Sequence, residues 1–282
     1  MPHANSAFAS FEQKWLGEFP ENVMVAVFLP GAQRSGANAF GSLVHELMQT
    51  AFYRSEAHIA TTKLAWWRQE LIDAHAGRPR HPVTTVLFAD ACLQASDPSL
   101  WPALADAALG QIGRSSATNL TELMQRFQPW HVSVARADAA VFSIRPEVCD
   151  RAAALWTITH LLHDLARIPA RADAGQLEHV ALPLDLLARH GILRADLFNH
   201  GSARNAFVRD YLDGLLGELD QCLDQGVVLS LPRRVRTALD RGLILRARYK
   251  TDPLAWLAAQ NRPGFGRSLW TAWNMARRSG VA

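Results

Sequence analysis

Two stretches of the chain carry side chains of the right type and spacing for chemistry. Over residues 36–53 the apolar positions Phe40, Leu43, Val44, Leu47, Met48 and Ala51 recur at three and four, marking one face of a helix. Glu46, Gln49 and Tyr53 lie away from that stripe, and Arg54, Glu56, Lys63, Arg68 and Glu70 follow. Over residues 147–168 the stripe is Val148, Ala152, Leu155, Ile158, Leu162 and Leu165, and Trp156, His160, His163, Asp164 and Arg167 gather opposite it. His160 and Asp164 stand at i, i+4, and Asp164 and Arg167 at i, i+3, spacings at which helical side chains meet. Imidazoles and carboxylates suit proton transfer or metal ligation, and the basic residues suit an anionic group. Two histidines at i, i+3 leave a metal set incomplete. On spacing alone both polar faces read as solvated ones.

Those two stretches sit in a chain that is helical in pattern nearly throughout. Residues 56–76 form another helix, in which Trp66 and Trp67 are adjacent. Neighbours on a helix point about 100° apart, so one ring faces the core and the other meets a second layer or a cavity. Val23 to Leu29 is the one β-like run. Breakers separate the stripes: Pro30-Gly31 and Gly36, Gly77-Arg78-Pro79, His81-Pro82, Asp97-Pro98, Pro146, Pro169, Leu231-Pro232 and Asp252-Pro253. Asp97 or Ser99 can cap the helix that follows them. Pro183 opens a short helix in Leu182-Pro183-Leu184-Asp185-Leu186-Leu187 after the polar loop Arg171 to Val180. About ten helices with short loops, no repeat and no shift of composition predict one all-α domain over 1–282.

Composition narrows the class of function. Of 282 residues 49% are apolar and 20% charged, near the globular average, and the net charge is only +3. Such a balance gives no reason to expect nucleic acid as a partner. Cys92, Cys149 and Cys222 are three and far apart, with no zinc spacing, which fits a reducing compartment. No apolar run approaches the roughly 20 residues of a spanning helix, and the first residues lack a basic stretch followed by a long apolar core. The expected location is the cytoplasm, with peripheral contact at the inner face of a membrane left open.

The order of the pieces resembles the squalene/phytoene synthase family. The resemblance rests on Lys63-Leu64-Ala65-Trp66-Trp67-Arg68-Gln69-Glu70-Leu71, then Gly77 and His81-Pro82-Val83. It continues in Leu161-Leu162-His163-Asp164-Leu165 and Leu182 to Leu187, and spans roughly residues 20–275. It implies a single-domain isoprenoid-synthase-type helical bundle around a central cavity. It also implies an enzyme joining two prenyl diphosphates, farnesyl or geranylgeranyl, head to head. Two DxxxD motifs on facing helices would hold Mg²⁺, and the metal the leaving diphosphate. By the same resemblance Glu46 and Asp164 are the candidate catalytic carboxylates and metal ligands. The resemblance also makes Arg54, Lys63, Arg68 and Tyr249, the last among Arg246, Arg248 and Lys250, candidate diphosphate-binding residues, and His160, His163 and Arg167 join them on their helical-wheel position alone.

The sequence departs from that pattern at the motifs themselves. The first reads His45-Glu46-Leu47-Met48-Gln49-Thr50, with one acid. In the second, Asp164 is followed four residues on by Ile168, His163 stands where the family has Arg, and Thr157 and His160 stand where it has Gln and Asn. The later loop keeps Gly175 and Pro183 but lacks its Arg and Tyr. A lone carboxylate on each side gives Mg²⁺ few charged ligands, and affinity follows ligand charge. Three readings stay open. One is an active Mg²⁺-dependent transferase. The second is a relative with weakened or lost catalysis that binds an isoprenoid or lipid, or assists a protein partner, as a respiratory-complex assembly factor in the family does. The third is a helical scaffold whose cavity Trp156 fills.

Overall fold

A computed structural model describes residues 2–53, 56–113, 116–145, 149–173, 180–260 and 263–278. Arg54, Pro146, Val148 and Gly175 lie outside those residues. The helices in chain order are α1 Pro2–Glu18, α2 Glu21–Val27, α3 Gly31–Tyr53, α4 Ala57–His75, α5 Pro82–Leu87, α6 Ala91–Gln94, α7 Leu100–Leu109, α8 Leu120–Val141, α9 Cys149–Ala166, α10 Ile168–Asp173, α11 Leu184–Arg189, α12 Ser202–Asp224, α13 Leu231–Ala247, α14 Pro253–Ala259 and α15 Phe265–Arg278. Among the described residues the only β pairing is an isolated bridge between Ala117 and Pro183, so the architecture is all-α, as the periodicity predicts.

The β-like run at Val23–Leu29 is helical instead. Glu21, Met24 and Val25 of α2 are buried, an i, i+3, i+4 set, while Val23 and Val27 face outward. The valines record which sides of a helix are covered, not a strand alternation. α3 likewise begins at Gly31 and runs through Gly36.

Helix starts follow the chemistry of the breakers. Pro82, Pro232 and Pro253 occupy first-turn positions, where a missing N–H costs nothing. Asn119, Ser230 and Asp252 accept backbone N–H groups at the starts of α8, α13 and α14. At α7 Ser99 takes the cap position without a side-chain cap bond, while Asp97 accepts the Ser99 N–H at 2.9 Å.

Burial is organised chiefly by three apolar clusters, with a smaller one where Ala135 and Ala139 of α8 meet Ala152 and Ala153 of α9. One joins Leu43, Leu47, Trp67, Leu71, Trp101 and Trp130 of α3, α4, α7 and α8. A second joins Leu161, Leu162 and Leu165 of α9 to Phe207, Tyr211 and Leu215 of α12. The third ties α2 and α13 to α15 through Val25, Val235, Ala272 and Ala276. Each buried Leu or Phe is worth roughly 1.5–3 kcal/mol, enough to fix the helices that surround the space between the clusters. Trp67 is a core residue at 1% exposure, whereas Trp66, at 41%, lies over Trp67 and His81 at the surface. Neither a second layer nor a cavity receives it. Glu70, of the same segment, is fully buried and structural. It accepts the N–H groups of Arg80 and His81, both at 2.9 Å, and the Thr84 hydroxyl at 2.6 Å, and so fixes the turn from α4 into α5. Burial pushes its carboxyl up, and those hydrogen bonds outweigh it, leaving the group below its ordinary value.

Candidate functional site

A cavity lies at the centre of the helices, with about 110 Å³ open to the centre of a water molecule. A single water needs roughly 10–15 Å³ of such space, so the room is for something larger. Phe40, Val44 and Met48 of α3, Trp130 and Val134 of α8, and Phe19, Val25, Leu29 and Phe142 supply its apolar wall. Trp156 stands in the wall without closing the space. The polar faces predicted for α3 and α9 point inward, not to solvent: His160, His163 and Asp164 are 5%, 4% and 2% exposed. A helical wheel separates polar from apolar sides and cannot tell water from a cavity.

The two candidate carboxylates stand behind the wall, each with a cation of its own. Glu46 Oε2 accepts from Lys63 Nζ at 3.0 Å. Asp164 Oδ1 accepts from Arg171 at 3.0 Å and from the Tyr53 hydroxyl at 3.1 Å, and Oδ2 lies 3.8 Å from His160 Nε2. Arg167 and Arg171 both lie against the Tyr53 ring, 5.1 and 4.6 Å from its centre. Burial, with the Asp164 charge beside it, raises the Tyr53 hydroxyl well above its usual range.

Between α3 and α9 stands a residue that the sequence reading passed over. Glu18, the last residue of α1, lies 3.0 Å from His45 Nε2 through its Oε2, which accepts from Gln49 Nε2 at 3.2 Å. It also pairs with Arg167. Burial opposes the charge on Glu18, but the His45 hydrogen bond and the Arg167 guanidinium hold the carboxyl below its ordinary value. The available signal was weak: an acid at a helix C-terminus runs against the helix dipole and asks for a partner from elsewhere.

Across the cavity, α13 contributes a second missed set. Arg233, Arg236 and Asp240 share one helix face. Arg236 pairs with Asp240 and, at 3.1 Å, with Glu21. Arg233 donates to the Thr159 hydroxyl at 2.5 Å and lies 3.5 Å from Asp240. Burial draws Arg233 down to about 10. It pushes Asp138, in the same wall, up to about 7.

Of the other candidates, Lys63 is occupied by Glu46, and His160, His163 and Arg167 reach the cavity or its edge. Arg68 does not. It is half-exposed on the side of α4 facing α7, 2.9 Å from Asp106. Tyr249 does not either. It is 80% exposed after the end of α13, against Arg248.

Mg²⁺ takes oxygen ligands in octahedral geometry and is usually held through one or two carboxylates plus phosphate oxygens. The donors present do not fit that need. Glu46 and Asp164 are already ion-paired and lie outside the cavity wall. Among the described residues no group of three or more His, Cys, Asp or Glu is placed to hold a metal ion.

The all-α helices around a central cavity define an isoprenoid-synthase-type fold. Solved structures share it. A dehydrosqualene synthase in complex with ligand matches with a TM-score of 0.71 at 12% identity, over 100% of this chain and 99% of that one. The squalene synthase HpnC from Alicyclobacillus acidocaldarius matches with 0.62 at 15% identity, over 94% and 98%. No curated protein matches the sequence significantly. The family model for squalene/phytoene synthase matches residues 20–240, and the chain belongs to that family, whose business is isoprenoid biosynthesis.

Proposed function

We propose that this chain is a member of the family without Mg²⁺-dependent transfer, which uses the central cavity to hold an isoprenoid or other lipid tail. The observation that carries the reading is that Glu46 and Asp164 are each neutralised by a basic residue of the chain itself while the apolar cavity persists beside them. Without carboxylates free to seat a metal, the chain lacks the preorganised electrostatics that an ionising C–O bond needs. The alternative reading, an active head-to-head prenyl diphosphate transferase requiring Mg²⁺, draws its support from family membership. A filled scaffold fits less well with the space left beside Trp156.

The purified chain, given farnesyl diphosphate and Mg²⁺, releases no pyrophosphate on this reading, and Mg²⁺ alone leaves the melting temperature unchanged, since only a ligand preferring the folded state raises it. Asp164→Ala strands Arg171 and costs about 3–5 kcal/mol of stability, the usual penalty for breaking a buried pair. Steady pyrophosphate release that Asp164→Asn abolishes in a folded protein overturns the proposal.

The same reading favours contact with a membrane or a protein partner that supplies or takes the lipid. No helix among the described residues is long and apolar enough to cross a membrane. The outer side of α15 supports peripheral contact, because Phe265, Trp270 and Trp273 are exposed there and Arg267, Arg277 and Arg278 share the helix.

A further inference from the structure

The cavity's polar wall has an unusual composition: ring nitrogens without partners, and cations that already have them. Both ring nitrogens of His160 and of His163, Nδ1 of His45 and Nε1 of Trp156 are buried with no hydrogen-bond partner, and all four residues line the cavity. Buried polar groups are almost always paired, so a cluster of orphans facing one space marks where a bound molecule supplies the partners. The indole N–H only donates, and a neutral imidazole offers one donor and one acceptor. Burial and the nearby arginines Arg236 and Arg167 keep His163 well below its ordinary value. Burial lowers His160 as well, against the pull of Asp164. The rings therefore meet a ligand uncharged.

The cations around the same space are spoken for. Arg167 pairs with Glu18, Arg236 with Glu21 and Asp240, and Arg233 with Asp240. Glu21 keeps one buried oxygen, Oε2, without a partner. A diphosphate entering here finds its counter-charges taken and two carboxylates, Glu18 and Glu21, already in the wall. Glu18 in effect brings the negative charge itself, between the α3 and α9 residues that the family resemblance assigns to metal and diphosphate.

We infer that the cavity selects an isoprenoid whose head is an uncharged oxygen group, an alcohol being the simplest, over the corresponding diphosphate ester, and that Glu18 enforces the choice. This rests on the isoprenoid-binding reading above and names the head group for it. The tail lies along Phe19, Val25, Phe40, Val44 and Met48, and the oxygen meets the His160, His163 and Trp156 nitrogens.

Titration of the 282-residue chain with farnesol, farnesyl diphosphate and the head-less hydrocarbon farnesene, followed by tryptophan fluorescence, tests the inference. Farnesol is expected to bind at least about tenfold more tightly than the diphosphate, and about fivefold more tightly than farnesene, the worth of roughly one net hydrogen bond. Glu18→Gln frees Arg167 and is expected to tighten the diphosphate at least about tenfold while farnesol changes little, in keeping with the usual strength of a charge-assisted contact. Equal binding of farnesol and farnesene, or a diphosphate preferred by the unaltered chain, overturns the head-group assignment and leaves tail binding standing. Binding of none of the three overturns the isoprenoid reading itself. In Glu18→Gln, or in Glu18→Asn where the first does not fold, a diphosphate bound no more tightly than by the unaltered chain overturns the role given to Glu18.

Discussion

Asp164 and His163 are neighbours in sequence with opposite electrostatic situations. The carboxylate has a guanidinium at 3.0 Å, while the imidazole is buried against Phe19, ring centres 5.1 Å apart, with no partner for its nitrogens. His131, His160 and His163 are all held below their ordinary values by burial first. Each therefore binds fewer protons folded than unfolded below the unfolded value of about 6.5, so stability is full above that pH and falls as pH drops through it. Asp138, pushed up by burial to about 7, works the other way: the folded state holds its proton between the ordinary carboxylate range and about 7, and stability falls as pH rises across that window. Three histidines against one acid predict a net loss on acidification from pH 6.5 to 5. Each histidine contributes up to about 1.4 kcal/mol per pH unit. Urea melts at these pH values check this, and His163→Phe should remove about half of the net slope, since Asp138 already offsets one of the three histidines. An unchanged slope in that variant sinks the assignment of His163 as a neutral buried ring. Glu46, His160, His163 and Asp164 were all visible in the sequence as polar positions on two helices. Their burial was not, because it depends on what the opposite helices place in front of them. Glu18 was invisible for a related reason: its partners lie on α3 and, at Arg167, just past the end of α9, far along the chain.

α1 brings Glu18 to the site, and Gly41 of α3 sets how closely α1 can lie. A Cβ at Gly41 would stand 2.3 Å from the Trp15 ring, a rigid neighbour that cannot give way. Gly36 in the same helix has no atom within 4 Å of such a Cβ. Both substitutions to Ala gain up to about 1 kcal/mol of helix propensity, but at Gly41 overpacking costs about 1–3 kcal/mol. Gly36→Ala is thus expected to raise the melting temperature and Gly41→Ala to lower it or leave it unmoved. Two equal rises would mean that Trp15 is not seated on α3. The helices themselves were mostly legible, since the apolar stripes of α3, α4, α9 and α12 repeat at three and four. α2 was not, because its seven residues are too few for period two and period 3.6 to separate when valines sit on both sides. The tryptophan pair on α4 was half legible: the requirement that the rings diverge followed from helix geometry, and which of them reached water followed from α5 and the Arg80–Thr84 turn.

The cavity and the outer surface of α15 belong to one arrangement. α2 lends Val25 to the cavity wall and packs, with α13, against Ala272 and Ala276 of α15. The far side of α15 presents Trp270 at 63% and Phe265 at 68% exposure, with Trp273 under the Arg277 guanidinium at 5.0 Å. Aromatic rings among arginines, on a helix with no acidic residue, suit the boundary of an anionic bilayer, where the rings enter the acyl edge and the arginines meet phosphate. On the proposed lipid-holding role, a cavity whose wall includes α2 gives such contact a use. The chain is expected to sediment with phosphatidylglycerol vesicles and not with phosphatidylcholine vesicles. Binding should weaken as salt rises, because exposed charges are screened beyond about 10 Å at 0.1 M. Replacing Trp270 and Trp273 together by Ala should remove most of the binding and change folding stability by no more than about 1 kcal/mol, as expected for surface positions. Equal binding to both vesicle types, or binding indifferent to the double replacement, would remove α15 as the membrane face. The isoprenoid would then have to reach α2 and the cavity from a protein partner.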